Sequence, residues 1–169
     1  MKFYKPNDKN TGSAFQFNIG TKKRNTDPVI FIEATKQAGP KPAPGSKTSP
    51  FNWKNKVVLM INSLEASTLN LYIKNPTPNG VSLIHQTEKA GTKTISSLTL
   101  KAPVTEEEKK YGNWFISIKR DSEMVAGRLA PNEINLINIL LEQLMIREAN
   151  ATYKNTKTSP FGEDSDEGS

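Results

Sequence analysis

Residues 51–69 read FNWKNKVVLMINSLEASTL. Two aromatics and two lysines, Phe51, Trp53, Lys54 and Lys56, lead into the unbroken apolar run Val57-Val58-Leu59-Met60-Ile61. That run predicts a strand around 53–61, and its alternation turns Trp53 toward a core and Lys54 and Lys56 outward. Asn62 and Glu65 then stand three apart, the spacing of a capping box, which predicts a single helical turn near 63–67. After it, Leu69-Asn70-Leu71-Tyr72-Ile73 alternates again, predicting a strand that ends at the turn Asn75-Pro76-Thr77-Pro78-Asn79-Gly80.

Outward from this stretch the pattern stays β-rich. Residues 1–12 read as a flexible arm. Ala14 to Ile19 alternates as a half-buried strand, and Gly20 to Asp27 is a polar turn holding Lys22, Lys23 and Arg24. Pro28 opens a strand through Ala34, close to Lys36. Residues 38–50, AGPKPAPGSKTSP, form a loop, because four prolines remove donors and exclude helix. Toward the C-terminus, Val81–Gln86, Thr94–Lys101 and Trp114–Lys119 read as strands, and the charged residues 105–110 as surface. Pro131 suits a first helical turn, and Ile134, Ile137, Leu141 and Leu144 recur three or four apart. A helix over 131–149 follows. Leu136, Leu140 and Met145 widen its apolar face enough to cover its own sheet and to meet a second subunit. After Asn150 the polar chain reads as disordered. The result is one α+β domain over 13–149, with seven strands before one long helix and no internal repeat.

Bulk properties narrow the function. The 169 residues suffice for one domain with a core. Cysteine is absent, which excludes disulfides, thiol catalysis and thiolate metal sites. No run of about 18 apolar residues predicts a membrane span. Met1 to Asn10 lacks the apolar stretch of a signal peptide, so a cytoplasmic location, in a bacterium or a phage-infected cell, is expected. Net charge is +6, and setting aside the tail acids Glu163, Asp164, Asp166 and Glu167 leaves +10 on residues 1–160. A basic body attracts polyanions, and an acidic tail beside Phe161 suits a partner-binding end.

Enzymatic chemistry finds little support. The single histidine, His85, lies in a strand. Gly112 and Gly127 are isolated, so no phosphate-binding glycine loop is present. Glu106, Glu107 and Glu108 precede Lys109 and Lys110 as a solvated charge run, and nothing singles out Asp27, Glu33 and Asp121 as metal ligands. No catalytic residue, metal or cofactor is expected. Binding chemistry is better represented. A single strand needs cations along its phosphates and flat apolar faces for its bases. Phe15 and Phe17 precede Lys22, Lys23 and Arg24; Phe31 lies near Lys36; Trp53 adjoins Lys54 and Lys56; Tyr72 precedes Lys74; and Phe115 precedes Lys119 and Arg120. Along 114–119, Trp114, Ile116 and Ile118 share one face, and Phe115, Ser117 and Lys119 the other, which is the face for solvent or ligand. Against this stands the preference of aromatics for strand cores, so the lysines are the firmer candidates.

The stretch Phe51 to Ile61, followed by Glu65, Thr68 and Leu69, resembles the central motif of the Whirly proteins, a family related to the positive-cofactor-four-like fold. In register with it, Ile84-His85, Thr94–Lys101, Asn113–Lys119 and Leu129–Leu144 look like that family's later strands and C-terminal helix. The resemblance spans about residues 14–148. It implies two antiparallel four-stranded sheets packed crosswise with helices after each. It further implies a homotetramer and single-stranded DNA bound with low sequence specificity, in replication, recombination or repair. The second strand, Asp27-Pro28-Val29-Ile30-Phe31-Ile32, departs from the Lys-Gly-Lys-Ala-like motif of plant members, so their DNA contacts do not carry over there. RNA is the alternative ligand, and a non-nucleic-acid assembly protein is the alternative class. Replication or recombination proteins are the expected partners of the tail. An oligonucleotide-binding barrel fits less well, since its helix lies between the third and fourth strands.

Overall fold

A computed structural model describes residues 1–22, 27–46 and 48–157, with side chains described through Tyr153. Four strands come first: β1 (Lys2–Lys5), β2 (Ser13–Thr21), β3 (Pro28–Lys36) and β4 (Val57–Ile61). They form one antiparallel sheet in chain order. Helix α1 (Ser63–Lys74) follows. The second antiparallel sheet, again in chain order, consists of β5 (Val81–Lys89), β6 (Thr92–Lys101), β7 (Trp114–Arg120) and β8 (Glu123–Leu129). Helix α2 (Glu106–Tyr111) links β6 to β7, and helix α3 (Pro131–Lys157) closes the described chain. Two four-stranded sheets with a long C-terminal helix are what the family resemblance implied.

Alternation decides which faces meet. Phe15, Phe17, Ile30, Ile32, Leu59 and Ile61 point inward from the first sheet, and Leu83, Leu98, Leu100, Ile116, Ile118 and Val125 from the second. All twelve belong to one buried cluster, which α3 joins through Ile134, Ile137, Leu141 and Leu144 and α1 through Ala66, Leu69 and Tyr72. The predicted helical stripe is therefore core. Leu136 and Ile139 stay exposed on the opposite side of α3.

Several expectations are corrected. The N-terminal residues form β1, with Phe3 paired to Phe15 and buried, instead of a free arm. Four residues are too short for a periodicity signal, yet they find a ready edge on β2. The 69–73 strand is the second half of α1. Asn62 accepts from the Glu65 amide, and the Glu65 carboxylate accepts from the Asn62 amide, so the predicted capping box is present and starts a full helix. No Gly or Pro interrupts it until Pro76. Over five residues, periods of 2 and 3.6 bury overlapping positions, and here Leu69, Asn70 and Tyr72 are the buried set. The 53–61 strand is shorter than expected, because Trp53–Asn55 forms one 3-10 turn capped by Asn52. Strand β8 was not anticipated. Met124 and Gly127 blur its alternation, and its tight turn uses Asp121, whose positive φ of 52° is held by a hydrogen bond from the Ile95 amide to Oδ1. Helix α3 continues past Asn150 to Lys157, since its last turns again lack Gly and Pro.

Candidate nucleic-acid interface

The side of the first sheet turned away from the core carries an aromatic cluster. Strand register places Tyr4 beside Ala14, and Ala14 beside Thr35. Ala14 and Thr35 are nevertheless buried, because residues 51–53 lie against this row; the Thr35 hydroxyl donates to the Asn52 carbonyl at 2.8 Å. Tyr4, 46% exposed, stands between two rings, with Phe51 at 5.7 Å and Trp53 edge-on at 6.4 Å. The Lys2 ammonium lies 5.8 Å from the Trp53 ring, within cation–π range. Trp53 is thus half-buried in a surface cluster, and its amide-capped turn leaves Lys54 exposed. Lys56 is ion-paired with Glu33 on the same outer face, which weakens it as a phosphate ligand.

The outer face of the second sheet has a different composition. Register aligns Lys101, Phe115 and Arg128 in one row. The next rows are Ser82, Thr99, Ser117 and Ala126, then Ile84, Ser97, Lys119 and Met124. These three rows hold three cations and no carboxylate. Phe115 is half-buried between its two cationic neighbours, and Lys119 and Arg128 are exposed. The predicted split of β7 into an inward Ile116 and Ile118 and an outward Phe115 and Lys119 holds.

A furrow connects the two surfaces. A concavity beside Tyr4 and Pro6, bounded by Phe51, adjoins a larger one of about 510 Å³ that runs from Tyr4, Lys5 and Pro6 to Asn113 and Arg128. A third continues from Asn113 and Arg128 to Tyr111, Glu107 and Glu108. Its far end is acidic. Backbone amides of Thr105 and Val104 hold the Glu108 carboxyl below the usual carboxylate range, and the Lys109 ammonium does the same for Glu106. Strands of nucleic acid would therefore be favoured at the Tyr4–Arg128 end.

The remaining candidates are dispersed. Lys22 lies 4.0 Å from Asp27, and Lys36 lies 3.8 Å from Glu123 of β8. Arg120 sits on the side of β7 opposite Phe115 and Lys119. Tyr72 is 7% exposed: its hydroxyl accepts from the Ala102 amide and donates to the Thr77 carbonyl, and its ring packs edge-on to Trp114. It is a core residue and not a surface for a base. Lys74 pairs with Glu142 of α3 at 2.9 Å, away from both outer faces. Lys23, Arg24 and the tail residues Phe161, Glu163, Asp164, Asp166 and Glu167 lie outside the described residues. Lys2, Tyr4, Lys101 and Arg128 were not anticipated. The segment Lys2-Phe3-Tyr4-Lys5 carries no periodicity, only two adjacent aromatics flanked by lysines. His85 pairs with Glu65 of the α1 cap, a structural role. Among the described residues no three acidic or histidine side chains are placed to hold a metal ion, and no helix is long and apolar enough to cross a membrane.

No protein-family model and no curated protein matches the sequence. Solved structures do match the fold. The structure of the plant transcriptional regulator PBF-2 aligns over 96% of this chain and 88% of its own, with a TM-score of 0.58 and 9% identity. The crystal structure of WHY1 from Arabidopsis thaliana aligns over 96% and 95%, with a TM-score of 0.49 and 13% identity. The fold of this chain is Whirly-like, as in the PBF-2 structure.

Proposed function

We propose that this protein binds single-stranded DNA with low sequence specificity, without catalysing a reaction, in replication, recombination or repair. The observation that carries the proposal is the furrow joining the Lys2–Trp53–Tyr4 cluster to the Lys101–Phe115–Arg128 row. It offers the exposed Tyr4 ring and the half-buried Trp53 and Phe115 rings together with Lys2, Lys101 and Arg128, which form no ion pair among the described residues, and so supplies the two requirements of strand binding. The Whirly-like fold, shared with a plant transcriptional regulator, supports a nucleic-acid ligand. Duplex fits less well, since its bases are already stacked and unavailable to Tyr4 or Phe115.

Self-association belongs to the same proposal. Leu64 and Leu71 of α1 and Leu136, Ile139 and Ile146 of α3 are exposed and apolar. They support a homo-oligomer, with four copies as the expected state, and a tail that engages replication or recombination proteins.

Fluorescence anisotropy of labelled oligo-dT, its duplex and an RNA of equal length, at two salt concentrations, tests the reading. Salt-sensitive binding of the DNA single strand above the other two is expected. Preference for RNA would transfer the reading to RNA, and binding of none at low salt would overturn it.

A further inference from the structure

The Pro-rich loop is closed at its base. The Ala38 amide donates to the Pro50 carbonyl at 2.8 Å, and Gln37 bridges to Phe51. The buried Gln37 carboxamide then ties this base to the segment after β1. Its Oε1 accepts from the Asn7 amide at 2.9 Å and the Gly12 amide at 3.1 Å, and its Nε2 donates to the Asn7 carbonyl at 3.0 Å and the Gly39 carbonyl at 2.8 Å. Two segments are thereby held facing each other, and between them lies a concavity of about 280 Å³. Tyr4 and Phe51 supply aromatic walls, Pro6, Pro42 and Pro50 supply rigid apolar ones, and Thr48 and Ser49 bring hydroxyls.

We propose that this concavity takes one unpaired nucleobase, turned aside from the path of a strand lying in the furrow. The proposal rests on the strand-binding reading and gives it a defined subsite. A base has flat apolar faces and a polar edge, and the lining matches both, with rings and prolines for the faces and hydroxyls for the edge. Among the described residues the lining holds no charged side chain to act as counter-charge for a free phosphate or a metal ion. The cations lie outside it. Lys2 stands over Trp53, one ring beyond Tyr4, and Lys41 is exposed on the loop, 3.7 Å from Asp8. Phosphates can then follow Lys2 while one base enters the concavity. Tyr4 and Pro6 also line the larger concavity, so the base site opens directly onto the furrow.

The test uses the full chain and a dT strand carrying one 2-aminopurine. Ser49→Trp fills the concavity from an exposed loop position, and Tyr4→Ala removes its exposed wall. Wild type should quench the 2-aminopurine emission. Each variant should stay folded by circular dichroism, with Tyr4→Ala melting lower for its lost contacts to Phe51 and Trp53, and each should lose the quenching and bind the strand about tenfold more weakly, the effect of losing one stacked base. Wild type that binds the strand while both variants retain its affinity and quenching overturns the base site and leaves strand binding intact. Wild type that does not bind overturns the strand-binding reading, and the base site with it.

Discussion

Gly127 of β8 lies against the Phe15 ring of β2, so close that a β-carbon at 127 would stand 2.8 Å from Phe15 Cε2 and 2.4 Å from Ser13 Oγ. This approach joins the two sheets, and neither neighbour has room to give: Phe15 is fully buried and Ser13 nearly so. Gly127→Val should destabilise the fold by about 1–3 kcal/mol through overpacking. Urea unfolding measures this, and an unchanged midpoint would mean that the sheets separate freely.

Tyr72 should behave as a core residue. Tyr72→Phe removes the acceptor of the buried Ala102 amide. Leaving that donor unpaired should cost about 1–3 kcal/mol of stability, while affinity for oligo-dT stays unchanged. A large loss of binding at unchanged stability would return Tyr72 to the interface.

The outer face of the second sheet should hold phosphates. Lys119 and Arg128 are exposed and form no ion pair among the described residues. Replacing both by Gln should flatten the dependence of log K on log salt by about 0.7 for each phosphate that is no longer neutralised. Lys74→Gln, away from this face, should leave the slope as it was. Equal slopes in all three proteins would remove the second sheet from the site.

Acid should loosen the packing of α1 on α3. The Lys74 ammonium, then the Asn70 carboxamide, hydrogen-bond to the Glu142 carboxylate and hold its pKa below the usual range. A carboxyl with a depressed folded-state pKa stabilises the fold above its unfolded value. That contribution is lost as pH falls from the ordinary carboxylate range through the lowered value. Glu142→Gln should therefore show a shallower decline of melting temperature over that acid window. Parallel declines in the two proteins would show that this ion pair contributes nothing.

Much of the fold was legible in the sequence because six strands and the long helix carry strong local patterns. Val29 to Ala34 and Trp114 to Lys119 are clear cases. What was missed depends on distant partners. Lys2–Lys5 becomes a strand because β2 offers an edge, and Glu123–Leu129 because it pairs along the whole length of β7. Leu69–Ile73 was misread because five residues do not separate two periods, although the capping box was in plain view. At the site, Trp53, Lys54, Phe115 and Lys119 reach the outer faces. Lys101 and Arg128 could not be read beforehand, because they meet Phe115 through register across three strands. Tyr72 failed with the strand that was to present it.

Photo-crosslinking to a single strand containing 5-bromouracil, with the attached residues located by mass spectrometry, tests strand binding in the furrow most directly. Crosslinks at Tyr4, Trp53 or Phe115, abolished when excess oligo-dT competes, are the expected result. Crosslinks confined to the exposed sides of α1 and α3, around Leu64, Leu71 and Ile146, would contradict it and place the strand on the helical side of the molecule.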